Sequence, residues 1–506
     1  MNTTQRLRLQ DLVSSLPGAK TLNADPAQIS SITNDSRDVA AGCLFVAIKG
    51  AKLDAHRFIP QAVQNGAAAV VCEQPPSPLP ECPVVRVPDS RAALSILADL
   101  FYGKPSSSLR VTGVTGTDGK TSTTEILRSI LTEAGYLAGS IGTLGYWIDG
   151  RRTYRWRGGL TTPDPIALHE SFRRMADTGI SDVCIEVSSH SLIQSRVADV
   201  RFDAAVLTNI TRDHLDTHGT RQNYARAKRR LFEQLKPGAV AALPEGGEFT
   251  DSFRAATAAR TLTYGMKPSA DVSGRIISMN MAGMKILIRT PADLYSVRTR
   301  LIGTYNCENI LAAATVAFAY GITPQEVKEA LRALSGVPGR LEKVEIPGED
   351  ALPAVSVDYA HTPAALEKVL TTLRPLVKGQ LVCVTGCGGE RDREKRPIMG
   401  AIAARHADIT VFTADNSRSE RTEDIIKDIL DGVAPSRRSG YHVEPDRRAA
   451  IELALKLAKG PDSMVVICGK GCEKYLDLGD RKIPFDDRVV ARQAMEKIST
   501  PRKQTA

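Results

Sequence analysis

The chain has 506 residues, 42% of them hydrophobic, and 66 basic against 57 acidic side chains give it a formal charge of +9. No apolar stretch approaches the ~20 residues of a membrane span, and MNTTQRLRLQDLV lacks the apolar core and cleavage site of a signal peptide, so a cytoplasmic protein without membrane insertion is expected. Nine cysteines without a CxxC pair argue for free thiols rather than a disulfide framework or zinc site. The basic residues are dispersed, the cluster 391–396 alternates in sign, and aromatics make up only 5%. That pattern disfavours nucleic acid and suits a phosphorylated, carboxylate-rich small substrate.

Residues 1–107 read as a first domain. The turn Asn34-Asp35-Ser36-Arg37 precedes a strand at 44–48, a helix carrying Ile59, Ala62 and Val63 ends at Gly66, and a strand follows at 68–72. Pro75, Pro76, Pro78 and Pro80 mark a surface loop. Ser36 and Arg37 either bind an anion or cap and solvate their turn, and chemistry alone favours the second.

The second domain, 108–337, opens on the stretch that organises the chain. Leu109, Val111 and Val114 form an apolar strand; Gly116-Thr117-Asp118-Gly119-Lys120-Thr121-Ser122 is a glycine-rich turn; Ile126, Leu127, Ile130 and Leu131 are the apolar face of a helix. Backbone N–H groups folded toward one point at a helix start suit a polyphosphate, with Lys120 reaching the β/γ-phosphates and Thr121 ligating Mg²⁺. The usual G-x-x-x-x-G-K-T spacing would need glycine where Val114 stands, so the loop from Gly113 is one residue longer. A polyphosphate and Mg²⁺ are the expected ligands.

Further on, Leu160-Thr161-Thr162-Pro163 offers two hydroxyls before a helix, as caps or as ligands for a carboxylate or phosphate. The strand 182–185 ends at Glu186, where a carboxylate holds Mg²⁺ in such domains. The strand 204–207 opens onto 208–219, and three of the eight histidines fall between 190 and 218, close to carboxylates. Lys228, four residues after Tyr224 on one helix face, reads on spacing alone as a solvated lysine. Short alternating runs from 246 to 303 predict a mainly antiparallel extension. An alanine-rich helix follows through Ala319, in which Asn306 and Asn309 either cap or recognise a base.

The third domain, 338–506, has strands at 355–357, 381–384, 409–413 and 464–468 alternating with helices from 363, 397, 422 and 447, which predicts a parallel or mixed α/β sheet. Polar clusters at 358–363, 386–396, 415–418 and 469–473 follow its strands, the edge where open α/β sheets bind ligands.

The order of these motifs is that of one family. DSR with GxxxDxH, TGTDGKT, TTPD, EVSSH, RDHLDTHG, YxxAK, DYAHTPxxLE, GCGGERDxxKRP, DNSR and GKGCE together resemble the Mur ligases over nearly the whole length. The resemblance implies an α/β protein of three domains, with a central P-loop ATPase-like parallel sheet domain and a Rossmann-like C-terminal domain. These would bind, in order, a UDP-sugar, ATP and the incoming amino acid. It implies a monomeric enzyme of cytoplasmic peptidoglycan precursor synthesis acting on small molecules. The expected reaction is ATP-dependent addition of meso-2,6-diaminopimelate to the D-glutamate γ-carboxylate of UDP-N-acetylmuramoyl-L-Ala-D-Glu, through an acyl phosphate. A lysine-adding ligase of the same family and a folylpolyglutamate-type ligase are the alternatives.

Carried over by motif, Asn34, Ser36, Ala51, Lys52 and Leu53 would contact the UDP-sugar, and Thr161, Thr162, Ser188, Gln194 and Arg196 its peptide end. ATP would bind the phosphate loop, Gly116 to Ser122, together with Asn306, Asn309, Arg340 and Asp358. Lys120, Glu186, His214 and Lys228 would be catalytic. Thr121, Glu186, His214 and Lys228 would serve the metal, Lys228 being carbamylated in the family and so turned from a cation into an anion. Arg391, Asp415, Asn416, Ser417, Arg418, Gly469 and Glu473 would form the diaminopimelate pocket, where Arg418 grips a distal carboxylate that lysine lacks. The chain departs from the family at Ser417, a usual proline, at Cys472, a usual histidine, and at Ala55, Asp118 and Leu160. Ser417 is expected to loosen the turn that presents Arg418.

Overall fold

The computed structural model describes residues 6–23, 26–50, 53–148, 150–153, 159–348 and 351–503, leaving aside the side chains of 437–439 and 500–503. The chain divides into two compact units, residues 1–116, 131–210 and 220–263 in one and residues 117–130, 211–219 and 264–506 in the other.

The first unit begins with a five-stranded sheet in the order Lys20–Thr21, Val84–Arg86, Ala67–Cys72, Cys43–Val46, Ser31–Thr33, parallel except at the 20–21 edge. Its middle strands are apolar on both faces, as a sheet covered on two sides requires. Leu44, Val46 and Val71 join one core with Leu94 and Leu97 of the helix Ser90–Phe101, and Phe45, Val70 and Cys72 join another with Ile59 and Ala62 of the helix Ile59–Gln64.

The same unit holds a larger sheet. Ala138–Gly142, Asp182–Glu186, Arg110–Thr115, Ala204–Leu207 and Val240–Pro244 lie side by side and parallel. Gly145–Ile148 and Arg151–Thr153 fold back as an antiparallel hairpin at one edge. The glycine-rich turn follows the central strand, and the helix Lys120–Glu133 starts at its lysine.

In the second unit Val272–Asn280, Gly283–Arg289 and Leu294–Thr299 form the expected antiparallel ladder, bulged between Ile276 and Ser278. The alanine-rich helix spans Thr304–Ala319. Further along the chain, a six-stranded sheet runs in the order Glu342–Val344, Ala354–Asp358, Met464–Cys468, Leu381–Thr385, Ile409–Phe412, Tyr441–Val443, parallel apart from its first strand. Alternate residues of Leu381–Thr385 feed two cores, Leu381 and Cys383 into one, Val382 and Val384 into the other. This is the mixed α/β sheet that the alternating strands and helices predict. All nine cysteines are free thiols.

One buried cluster in the first unit has no counterpart in the sequence reading. His169, on the helix Pro165–Asp177, is fully buried with Nδ1 3.4 Å from Asp99 Oδ1, on the helix Ser90–Phe101. Among the described residues neither ring nitrogen has a hydrogen-bond partner, nor have Asp99 Oδ1 and Ser95 Oγ. Burial pulls the imidazole down to about 4 and, with Asp199 adding to it, pushes the Asp99 carboxyl up to about 6, while Lys104 opposes that rise. Asp199 is itself raised by burial.

The two shifts act oppositely on stability. A raised carboxyl binds protons better folded than unfolded, so Asp99 adds stability as pH falls through 6; a depressed imidazole removes stability over the range from its unfolded value down to 4. Asp99→Asn deletes the first effect and leaves the second. The variant is therefore expected to lose thermal stability relative to the parent between pH 7.5 and pH 5.5, measured as the difference in unfolding midpoints; an unchanged difference contradicts the assignment.

Candidate functional site

Register sets the first part of the site. Val114 pairs with Glu186 and Thr115 with Leu207, so the strands ending at Glu186, Thr115 and Leu207 stop within one residue of a common level. Glu186 is buried rather than superficial: Oε1 accepts the Thr143 N–H at 2.8 Å and Oε2 the Thr143 hydroxyl at 3.2 Å. The Thr162 hydroxyl donates to the Glu186 carbonyl at 2.8 Å and accepts the Ser188 N–H at 3.0 Å. Neither threonine caps the following helix. Asp164 does so, accepting the Ala167 N–H, because the Thr162 hydroxyl is occupied at the strand end. Arg196 donates to the Thr162 carbonyl at 2.9 Å and, through two nitrogens, to Gln194 Oε1, and burial lowers its pKa. The Thr143 and Thr161 hydroxyls lie 3.2 Å apart, so Thr161, Thr162, Ser188, Gln194 and Arg196 form one connected group with Glu186.

Lys228 is not solvated. It is 1% exposed, with Nζ 2.7 Å from the Gly116 carbonyl and 4.4 Å from the centre of the Tyr224 ring. The helical spacing was correct, but the face it shares with Tyr224 turns toward the phosphate loop. Gly116 has φ +146°, and a methyl group there would drive into Thr208 Oγ1.

The second unit holds the rest of the loop. Lys120 Nζ donates to the Thr117 carbonyl at 2.8 Å, and Thr117 Oγ1 accepts the Thr211 N–H at 2.9 Å. Arg340 donates to Thr121 Oγ1 at 3.1 Å and stacks 4.5 Å above the Tyr359 ring. Asn309 Oδ1 accepts from Thr123, Asn309 Nδ2 donates to Asn306 Oδ1, and Asn306 Nδ2 reaches the Ile302 carbonyl. Those two asparagines do not cap their helix, whose N-cap is Gly303 at φ +100°. A side chain on Gly119, at φ +84°, would strike Asn309 Oδ1. Asp358 accepts the Leu341 and Ala360 N–H groups at 2.7 Å each, and burial raises its pKa against the pull of Arg340.

Of the four residues expected at a metal, Glu186 and Lys228 belong to the first unit, Thr121 and His214 to the second. His214 is half-exposed at φ +52°, with Nε2 3.3 Å from Asp213. The oxygens of Glu186 and Thr121 are the donor class Mg²⁺ takes, whereas a lysine ammonium offers no lone pair unless carbamylated. Among the described residues no three or more His, Cys, Asp or Glu side chains form a metal-holding cluster. Asn34 and Ser36 lie in the turn after the strand Ser31–Thr33, where Asp35 caps the turn and holds Arg37; Leu53 is exposed, and Ala51 and Lys52 lie outside the described residues.

The third cluster gathers at the carboxyl edge of the six-stranded sheet. Lys470, fully buried, donates to Asn416 Oδ1 at 3.0 Å and to Glu473 at 2.9 Å, and Asn416 Nδ2 donates to Glu473 at 2.8 Å. Burial would raise the Asp415 carboxyl, but Lys470, Arg447 and the Asn416 N–H outweigh it and hold the group low. A Cβ on Gly469 would stand 2.6 Å from Asp415 Oδ2, and one on Gly388 3.1 Å from Arg418 Nη1 and 3.9 Å from Arg391 Cγ, so both arginines approach Gly388. Sequence reasoning missed Thr143, which follows no motif, and Lys470, which lies inside GKGCE and could have been found there.

Residues 28–102 match the Mur ligase family catalytic domain, 114–317 the Mur ligase middle domain, and 339–471 the Mur ligase glutamate ligase domain. The chain belongs to the Mur ligase family. This Mur ligase is 43% identical, over 97% of its length and 99% of the relative's, to the UDP-N-acetylmuramoyl-L-alanyl-D-glutamate–2,6-diaminopimelate ligase of Geobacillus thermodenitrificans. A solved UDP-N-acetylmuramoyl-L-alanyl-D-glutamate–2,6-diaminopimelate ligase superposes with a TM-score of 0.68 at 29% identity, covering 98% of this chain and 100% of that one. Folylpolyglutamate synthase of Mycobacterium tuberculosis, solved with ADP and AMPPCP, shares the fold at a TM-score of 0.62 and 18% identity, over 80% of this chain and 95% of that one.

The loop geometry makes a stability prediction. Gly116→Ala meets both a disfavoured φ and Thr208, whereas Gly135→Ala meets a positive φ with open space around it. Gly116→Ala is expected to cost about 1–3 kcal/mol and Gly135→Ala about 1 kcal/mol or less in urea unfolding; equal losses contradict the close approach at Gly116.

Proposed function

We propose that this Mur ligase joins diaminopimelate to UDP-N-acetylmuramoyl-L-Ala-D-Glu at the cost of ATP, in cytoplasmic peptidoglycan precursor synthesis. The observation that carries the choice of amino acid is that Arg391 and Arg418 both approach Gly388 beside the Asn416, Lys470 and Glu473 network. A guanidinium grips a distal carboxylate through paired bonds, and the lysine side chain ends in an ammonium alone. Residues 1–107, 108–337 and 338–506 would serve the UDP-sugar, ATP and the amino acid; the matched family segments each lie inside one of these spans.

In this reading Asn34, Ser36, Ala51, Lys52 and Leu53 meet the UDP-sugar, and the Thr161, Thr162, Ser188, Gln194 and Arg196 group holds the peptide so that its γ-carboxylate is presented for reaction. That carboxylate attacks the γ-phosphorus of ATP, giving ADP and an acyl phosphate. The amino group of diaminopimelate then attacks the acyl carbon, loses a proton, and phosphate leaves as the amide forms. The turn from Gly116 to Ser122 lends its N–H groups to the phosphates, and Lys120 turns from the Thr117 carbonyl to the transferring group. Asn306, Asn309, Arg340 and Asp358 complete the nucleotide contacts.

Mg²⁺, when bound, offsets phosphate charge. Glu186, Thr121 and His214 would hold it, with Lys228 as its carbamate, and turnover is then expected to fall in bicarbonate-depleted buffer and recover on adding bicarbonate. Arg418→Ala is expected to raise the KM for meso-diaminopimelate about tenfold to a hundredfold with kcat little changed. The parent should use diaminopimelate at least about a hundred times more efficiently than L-lysine, read as kcat/KM from phosphate release. Comparable use of lysine overturns the pocket assignment while leaving the ligase.

A further inference from the structure

Serine at 417 leaves the Arg418 turn without the φ restriction a proline imposes. The turn is nonetheless demanding, because Arg418 itself stands at φ +51°, in the left-handed region. Arg418 is held directly by its own N–H, which donates to the Asp477 carbonyl at 3.0 Å, and the turn around it is braced by a carboxylate two residues on. Glu420 Oε1 accepts the Glu390 N–H at 2.5 Å and Arg396 Nη2 at 2.9 Å; Oε2 accepts Arg396 Nη1 at 3.0 Å and Arg393 Nη2 at 2.7 Å. The Glu420 N–H closes the turn itself, donating to the Ser417 carbonyl at 3.1 Å.

Arg396 is fully buried and anchors the arrangement. It also donates to Asp428 at 2.8 Å and to the Gly388 carbonyl at 3.4 Å. Two further threads run alongside: the Gly389 N–H to the Asn416 carbonyl at 2.9 Å, and Arg418 Nη1 to the Gly389 carbonyl at 2.5 Å. The Ser419 hydroxyl meets the Glu390 carboxylate. The loop carrying Arg391 and the loop carrying Arg418 are thus laced together: the Glu420 carboxylate binds the first through the Glu390 N–H and the buried Arg396 guanidinium, while the Glu420 backbone N–H closes the turn of the second. Held to about 2 by the Arg396 bond first, then by the Glu390 N–H and Arg393, it stays ionised across the working pH range.

We infer that Glu420 is a positioning residue for amino-acid selection: by bracing the 388–396 loop against the 415–420 turn it sets the spacing of Arg391 and Arg418, and so the fit to a distal carboxylate. This rests on the diaminopimelate pocket proposed above. Because guanidinium forks discriminate by geometry, a loosened brace costs affinity for the carboxylate-bearing amino acid before it costs chemistry.

The test compares Glu420→Gln, Glu420→Asp, Arg393→Ala and Arg418→Ala by steady-state kinetics, with folding checked by thermal midpoint. Glu420→Gln puts an amide N–H₂ against arginine donors. It is expected to raise the KM for meso-diaminopimelate about tenfold and to cut the preference over L-lysine by a similar factor, with kcat and the KM values for ATP and the UDP-dipeptide changed by no more than about twofold. Glu420→Asp keeps the charge and should recover part of the loss; if the glutamine variant does not fold, a KM raised at least about threefold in Glu420→Asp carries the claim. Arg393 is 69% exposed, and its removal should leave the KM within about twofold. A lowered thermal midpoint or kcat with unchanged KM and preference would show Glu420 to be merely structural and overturns the inference. Failure of Arg418→Ala to alter the diaminopimelate KM overturns the pocket itself, a result distinguishable from failure of the brace alone.

Discussion

Everything at the first unit's site depends on where its parallel strands stop. Hydrogen bonding between Asp182–Glu186, Arg110–Thr115 and Ala204–Leu207 brings the strand ends Glu186, Thr115 and Leu207 within one residue of a common level. A slip of one residue would turn Glu186 and Val114 to opposite faces, which buried strands apolar on both sides do not permit. The same logic recurs in the second unit, where Asp358 pairs with Cys468 and Thr385 with Phe412, so that the loops from 386, 415 and 469 start from one edge.

Polar groups are abundant at these edges, and the fold deals with them by local partners. Glu186 has Thr143, Asp358 has two backbone N–H groups, Asn416 has Lys470 and Glu473, and Arg447 has Asp487 at 2.7 Å with both side chains fully buried. Buried pairs of this kind add little net stability, but losing one partner costs about 3–5 kcal/mol. Their effect is to fix geometry. In the proposed pocket that geometry would separate two amino acids differing by one carboxylate, a group that a site built to bind it can distinguish sharply from its absence.

The sequence made the periodic elements legible. The helices at 363, 422 and 447 and the strands at 204–207 and 464–468 begin where apolar spacing places them, since those segments are long and their burial pattern is regular. The phosphate turn was legible because glycine at positive φ leaves a mark in composition. Side-chain direction was not. Lys228 is buried because of which way its helix is rolled, and Thr161 and Thr162 look like caps until register shows that Glu186 lies beside them. His169 with Asp99 and Arg396 with Glu420 are pairings across 70 and 24 residues, and nothing in local spacing announces a contact of that kind.

The central claim is that this chain forms an amide at the expense of ATP, and the mass of the product tests it most directly. Purified protein incubated with Mg-ATP, UDP-N-acetylmuramoyl-L-Ala-D-Glu and meso-diaminopimelate should convert the dipeptide substrate to a species heavier by one diaminopimelate residue, with one ADP and one phosphate per product. Hydrolysis of ATP with the UDP-dipeptide recovered unchanged, in the presence of both diaminopimelate and lysine, would contradict the account.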